Sequence, residues 1–148
     1  MLACTSPGVT LTATANGAGS FSWTGPNNFA ANTAEIIVAA VGAYTVSYIN
    51  TSGCEATDVV NVTPAPLPTV EVGDDINPFC DELPVTLSPS LGSGNLDVLW
   101  TGPANFSSTE TNPQVTEAGT YIITVTNEYG CTGTDQLTLF PCEEQPSC

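Results

Sequence analysis

The sequence has no lysine, no arginine and no histidine among its 148 residues, against 15 Asp plus Glu. Each absence removes a class of chemistry. Without histidine there is no side chain that titrates near neutral pH unperturbed, and no imidazole metal ligand. Without lysine there is no Schiff base, no P-loop lysine and no lysine-derived isopeptide crosslink. With neither cation, nothing clamps a phosphate or displaces the counterions of DNA, and the formal net charge of −15 repels nucleic acid. The same charge disfavours an anionic membrane surface. No apolar run approaches the ~20 residues of a membrane span. No nucleic-acid partner and no membrane insertion are therefore expected. Charged residues make up only 10% of the chain, well below the usual quarter.

Thr, Ser, Asn, Gly and Pro fill the gap, a mixture that favours strands and turns over helices. The hydrophobic fraction of 41% is enough to build a core. Six cysteines with no CxxC pair read as disulfides in an oxidising place rather than as a zinc site. The start, Met1-Leu2-Ala3-Cys4, has neither the basic segment nor the apolar stretch of a signal peptide. An excised piece of a longer extracellular chain is expected.

An internal repeat dominates the sequence. A shift of 77 positions lays Trp23-Thr24-Gly25-Pro26 on Trp100-Thr101-Gly102-Pro103, and Asn28-Phe29 on Asn105-Phe106. It also lays Gly42 and Tyr44 on Gly119 and Tyr121, and Asn50, Gly53 and Cys54 on Asn127, Gly130 and Cys131. Fourteen of the forty positions from Trp23 to Val62 are identical, without a gap. Upstream, a shift of 76 matches Cys4 to Cys80 and Val9-Thr10-Leu11 to Val85-Thr86-Leu87. Repeats of this kind are one structural unit used twice.

Each unit reads as a series of short strands. They run from Val9 to Ala13 or Val85 to Ser88, then up to Trp23 or Trp100, then a Gly-Pro turn. Ile36–Val38 follows, with Pro113–Val115 as its weaker counterpart. The clearest strands are Tyr44–Ile49 and Tyr121–Thr126, where apolar and polar residues alternate. The last are Asp58–Val62 and Asp135–Phe140. Closely spaced strands with turns between them predict an all-β protein of two tandem immunoglobulin-like β-sandwich domains. The expected domains are residues 1–63, lacking a first strand, and 64–141, which includes a linker strand around Thr69–Val72. Residues 142–148 are expected to be a tail or the start of another linker.

Trp23 and Trp100 fall where such a sandwich buries a tryptophan, and Tyr44 and Tyr121 where a tyrosine corner stands. These four are the expected framework core. Phe29 and Phe106 are read as core or as ligand contacts. The near-equal spacing predicts disulfides Cys4–Cys54 and Cys80–Cys131, with Cys4–Cys131 as the competing pair. That scheme needs Cys4–Gly8 and Cys80–Pro84 to run back as edge strands beside the last strand. Cys142 and Cys148 would pair with each other or with missing neighbours. Acidic residues near the junction, Asp74, Asp75, Asp81 and Glu82, are Ca²⁺ candidates, since hard cations take carboxylate oxygens. No other cofactor and no catalytic residue is expected.

The pattern Cys…Val-Thr-Leu…Trp-Thr-Gly-Pro-x-Asn-Phe…Gly-x-Tyr…Asn-x-x-Gly-Cys-x-x-Thr-Asp resembles the Ig-like or PKD-like repeats of giant cell-surface proteins of Bacteroidota. Gliding-motility adhesins exported by type IX secretion look like this. The resemblance covers roughly Cys4 to Phe140. It implies an extracellular, bacterial cell-surface location and a non-catalytic spacer within a large adhesin or stalk. Its partners would then be neighbouring repeats of the same polypeptide. The alternative is a module that itself contacts a polysaccharide or a surface protein.

Overall fold

The computed structural model describes residues 1–146, so Cys148 lies outside the described residues. Among them the chain is all-β, in several sheets, with no helix longer than a three-residue 3-10 turn. It divides into two compact units, Met1–Ala65 and Pro66 onward.

Unit 1 has six strands: β1 (Val9–Thr12), β2 (Gly19–Gly25), β3 (Phe29–Ala31), β4 (Glu35–Val38), β5 (Gly42–Asn50) and β6 (Glu55–Val62). One antiparallel sheet has the order β3-β2-β5-β6, and β1 pairs with β4 in a second. The period-2 pattern of β4 turns Ile36 and Val38 inward and leaves Ile37 in solvent. They meet Leu11, Trp23, Tyr44 and Val62 in one core drawn from both sheets, the arrangement of a β-sandwich.

Unit 2 has eight: β7 (Val70–Glu71), β8 (Val85–Thr86), β9 (Ser90–Leu91), β10 (Leu96–Thr101), β11 (Ser107–Ser108), β12 (Gln114–Val115), β13 (Gly119–Asn127) and β14 (Thr132–Leu139). The four-stranded sheet is β11-β10-β13-β14, while β8 pairs with β12 and β7 with β9. Its core is larger and holds Trp100, Tyr121, Ile123, Val125, Leu137 and Leu139 together with Val70 and Val72.

The last two belong to a feature that unit 1 does not have. Residues 70–80 run along the outer edge of β14, parallel to it. Val72 N–H donates to Asp135 Oδ2 at 2.9 Å, and Thr138 N–H to Asp75 Oδ1 at 2.7 Å. Ile76 N–H donates to Thr138 O, and Phe140 N–H to Ile76 O, both at 2.9 Å. Glu143 N–H to Pro78 O and Cys80 N–H to Glu143 O, both 3.0 Å, complete the ladder. Alternation places Val70 and Val72 inward, where each buried valine contributes about 1.5–3 kcal/mol. Unit 1 keeps only the end of this edge, with Leu2 N–H on Thr63 O at 2.8 Å and Ala65 N–H on Leu2 O at 2.9 Å.

Two expectations are corrected here. The chain beside the last strand is residues 70–80, not Cys80–Pro84: Cys80–Glu82 fold into a 3-10 turn, and Glu82 Oε2 accepts Phe79 N–H at 2.7 Å. The start of residues 142–148 is not a free tail or linker either, because Glu143 exchanges backbone bonds with Pro78 and Cys80 across an isolated bridge to Phe79. The sequence reading also missed β3 and β11, which follow the Gly-Pro turns.

Candidate functional site

The repeated motif folds into the same lock in both units. Pro26 opens a turn whose next residues, Asn27 and Asn28, have φ of 56° and 60°; Ala104 and Asn105 do the same at 53° and 60°. Asparagine tolerates this left-handed region better than most residues, and the reversal returns the chain as β3 or β11. The glycine before each turn has another reason. A Cβ on Gly25 would lie 2.5 Å from the Tyr44 ring, and one on Gly102 would lie 2.6 Å from the Tyr121 ring. Gly42 (φ 138°) and Gly119 (φ 148°) lie in turn against Pro26 and Pro103. Gly-Pro and Gly-x-Tyr are therefore two halves of one contact.

The aromatic residues complete it. Tyr44 O–H donates to Ala40 O at 2.9 Å, and Tyr121 O–H to Glu117 O at 2.7 Å. Phe29 meets Tyr44 edge to face at 5.5 Å, and Phe106 meets Tyr121 at 5.4 Å, both at 79°. Such pairs are worth about 0.5–1.5 kcal/mol beyond their burial. Trp23 is 2% exposed and Trp100 0%. Their indole N–H groups donate to Thr33 O at 2.9 Å and Thr111 O at 3.4 Å. Trp23, Tyr44, Trp100 and Tyr121 are thus buried, hydrogen-bonded framework, and Phe29 and Phe106 pack against the core.

The second repeated motif, Asn-x-x-Gly-Cys, is a side-chain-centred turn. Asn50 Oδ1 accepts the N–H groups of Ser52 and Cys54 at 3.0 and 2.9 Å. Asn127 Oδ1 accepts those of Tyr129 and Cys131 at 3.1 and 3.0 Å. Gly53 and Gly130 supply the positive φ that the turn needs, 84° and 72°. Asparagine in this place satisfies two backbone donors that the hairpin leaves over.

Burial raises the Tyr121 phenol above its ordinary value, and the charge of Glu117 adds to the shift. The neutral phenol is then the form the fold favours. Its contribution is complete below the unfolded-state value of about 10 and is lost as pH rises through the higher folded one. Unit 2 is expected to weaken in alkali for this reason. Tyr121→Phe should flatten that alkaline slope and lower stability at pH 7 by about 1 kcal/mol through the lost hydrogen bond. Denaturant titrations of both proteins at pH 7 and above pH 10 check this; parallel curves would contradict it.

The cysteines depart from the expected pairing. Cys80 is bonded to Cys142, with Cα atoms 4.9 Å apart. Cys54 is a free, exposed thiol. Cys4 and Cys131 are each disulfide-bonded. Cys4–Cys54 and Cys80–Cys131 are therefore both wrong, and Cys142 does not pair with Cys148. The reason is the parallel edge: Phe79 and Glu143 are bridged, which brings their neighbours Cys80 and Cys142 within bonding reach.

The Ca²⁺ candidates are not brought together. Asp74, Asp75, Asp81 and Glu82 are all exposed. Asp75 and Glu82 accept backbone N–H groups. No three His, Cys, Asp or Glu side chains cluster for a metal among the described residues.

Unit 1 has a groove of about 570 Å³, walled by Leu11, Phe21, Trp23, Val46, Tyr48 and residues 56–60 of β6. The sequence reading expected residues 1–63 to lack a first strand but did not foresee a groove. No protein-family model and no curated protein sequence matches the chain.

Proposed function

We propose that the chain is a pair of immunoglobulin-like repeats serving as a non-catalytic, disulfide-stabilised spacer in a large extracellular bacterial surface adhesin or stalk. The observation that carries this reading is the duplicated lock. The shared Gly-Pro and Gly-x-Tyr residues all have a structural role, as glycine under a ring, proline on glycine, or tyrosine bonded back to its own chain four residues upstream. That last contact has the form of a tyrosine corner. A framework common to both copies, beside surfaces that differ between them, is what a repeated spacer requires. The resemblance to repeats of Bacteroidota surface proteins, gliding-motility adhesins among them, supports the same reading, as do disulfides, which persist in oxidising surroundings. Its partners on this view are neighbouring repeats of the same polypeptide.

A spacer must carry tension, and the Cys80–Cys142 bond bears on this directly. It closes 62 residues of unit 2 into a loop that cannot extend while the bond holds. The expected result concerns single-molecule pulling of the chain in a Cys4→Ala, Cys131→Ala background, where Cys80–Cys142 remains. Reductant should lengthen the unfolded contour by about 20 nm, from roughly 3.5 Å per extended residue. Equal extension with and without reductant would remove the mechanical basis of the spacer reading.

A further inference from the structure

We infer that the Cys80–Cys142 bond is a redox-operated latch. When it is reduced, residues 74–80 and 141–144 part from the edge of β14, and the rest of unit 2 stays folded. The inference stands apart from the spacer reading.

The segment along β14 is held in two ways. Its first part belongs to the core: Val70 and Val72 are buried, and Val70 pairs with Leu91. Its second part lies mostly outside. Asp74, Asp75, Asn77, Phe79 and Cys80 are exposed and Ile76 is half-buried, while Pro78 alone is buried. Gly73 stands between the two parts with φ of 80°, and a Cβ on it would meet nothing within 4 Å. A glycine bend in open space can swing without displacing its surroundings. Apart from the disulfide, the second part is tied down by the backbone N–H bonds of Ile76, Cys80, Phe140 and Glu143, and by Asp75, whose Oδ1 accepts Thr138 N–H.

Charge opposes that closure. Exposed Asp74, Asp75, Asp81 and Glu82 lie on one side of the Phe79–Glu143 bridge, and exposed Glu143 and Glu144 on the other. The chain has no lysine, arginine or histidine to offset them. Asp75 and Glu82 each accept one backbone N–H, which orients them but brings no counter-charge. Like charges within a few residues of one contact repel at separations up to the Debye length, about 10 Å at 0.1 M ionic strength. The bond therefore holds together two acidic segments that push apart.

Exposure decides how the bond opens. Cys80 is exposed and Cys142 half-buried, so an external thiolate reaches the Cys80 sulfur first. Attack there forms a mixed disulfide and expels Cys142 as a thiolate. The second thiol of a dithiol then releases Cys80 and leaves as a cyclic disulfide. The two electrons and two protons that the dithiol loses end on the cysteine pair. The surrounding carboxylates repel an anionic thiol, so the reductant that fits is a neutral dithiol. Opening takes the partners from Thr138 and Phe140 N–H and uncovers a strand edge of the kind that folds ordinarily cover.

Amide hydrogen exchange of the whole chain tests the latch. With Cys80→Ser and Cys142→Ser together, the amides of Ile76, Phe140 and Glu143 are expected to exchange within about tenfold of the unprotected rate, while Ile123 and Val125 of β13 keep at least about a thousandfold protection. In the parent chain all five are protected. Raising the ionic strength from about 0.01 M to about 1 M shortens the Debye length from about 30 Å to about 3 Å, and should restore at least about tenfold protection to the three edge amides of the serine variant. Adding Asp74→Asn, Glu143→Gln and Glu144→Gln should do the same at low salt. A second arm uses the Cys4→Ala, Cys131→Ala background, in which a neutral dithiol should open the same three amides and reoxidation should close them. Edge amides as protected as Ile123 and Val125 after loss of the bond would overturn the proposal, because the bond would then act on global unfolding alone. Edge exchange that ignores salt would overturn it as well.

Discussion

Replacing Cys80 and Cys142 together by serine is expected to lower the stability of unit 2 by about 4 kcal/mol. The figure follows from the entropy that a crosslink removes from the unfolded chain, which grows with the logarithm of the loop it closes. Here the loop spans 62 residues. Serine is chosen because Cys80 is exposed and Cys142 half-buried, so the new hydroxyls reach water and add no desolvation cost of their own. Urea unfolding followed by Trp100 fluorescence, in a Trp23→Phe background, measures the loss. The midpoint should fall without a large change in slope. A change below about 1 kcal/mol would mean that the bond does not close the unit, since even a 15-residue loop is worth about 3 kcal/mol on the same model.

The second large effect is at Trp100. Its replacement by alanine should lower the stability of unit 2 by about 3–5 kcal/mol, the usual range for an aromatic removed from a closed core. Trp100 is fully buried, touches a core drawn from both the four-stranded sheet and the edge segment, and also loses its bond to Thr111 O. Trp23→Ala should fall toward the lower end of that range. Trp23 sits in a smaller core and lines the open groove, so part of the space that it leaves already faces solvent. Thermal unfolding of the two variants provides the comparison. Equal losses would argue against any difference in how the two cores are closed.

The framework was legible because the sequence states it twice. A single Trp-Thr-Gly-Pro would be weak evidence, but its recurrence with Gly-x-Tyr at a fixed offset marks positions that one contact geometry holds. Trp23, Tyr44, Trp100 and Tyr121 were readable for that reason. The disulfides were not. Cys4 and Cys54 are 50 positions apart and Cys80 and Cys131 are 51, a regularity that invites pairing within each repeat. Bonding depends instead on which chain ends lie side by side, and that is set by residues 70–80 joining β14. Strands β3 and β11 escaped as well. Phe29-Ala30-Ala31 and Ser107-Ser108 lack a strand-like pattern, and they are strands because two consecutive left-handed residues fold them back onto β2 and β10. The groove is harder still to read, because it shows only when one repeat is laid on the other in three dimensions.

The two repeats therefore share a framework, and in unit 2 residues 70–80 and the Cys80–Cys142 bond cover the edge of β14, whereas among the described residues the edge of β6 carries only Leu2. Amide hydrogen exchange, residue by residue, tests that most directly. By the alternation of an antiparallel ladder, Asn61 N–H points away from β5 as Thr138 N–H points away from β13. Thr138 and Phe140 are bonded to the edge segment, and their counterparts Asn61 and Thr63 face solvent. The account predicts exchange at Thr138 and Phe140 slower than at Asn61 and Thr63 by on the order of a hundredfold or more. Equal protection at the two pairs would contradict it.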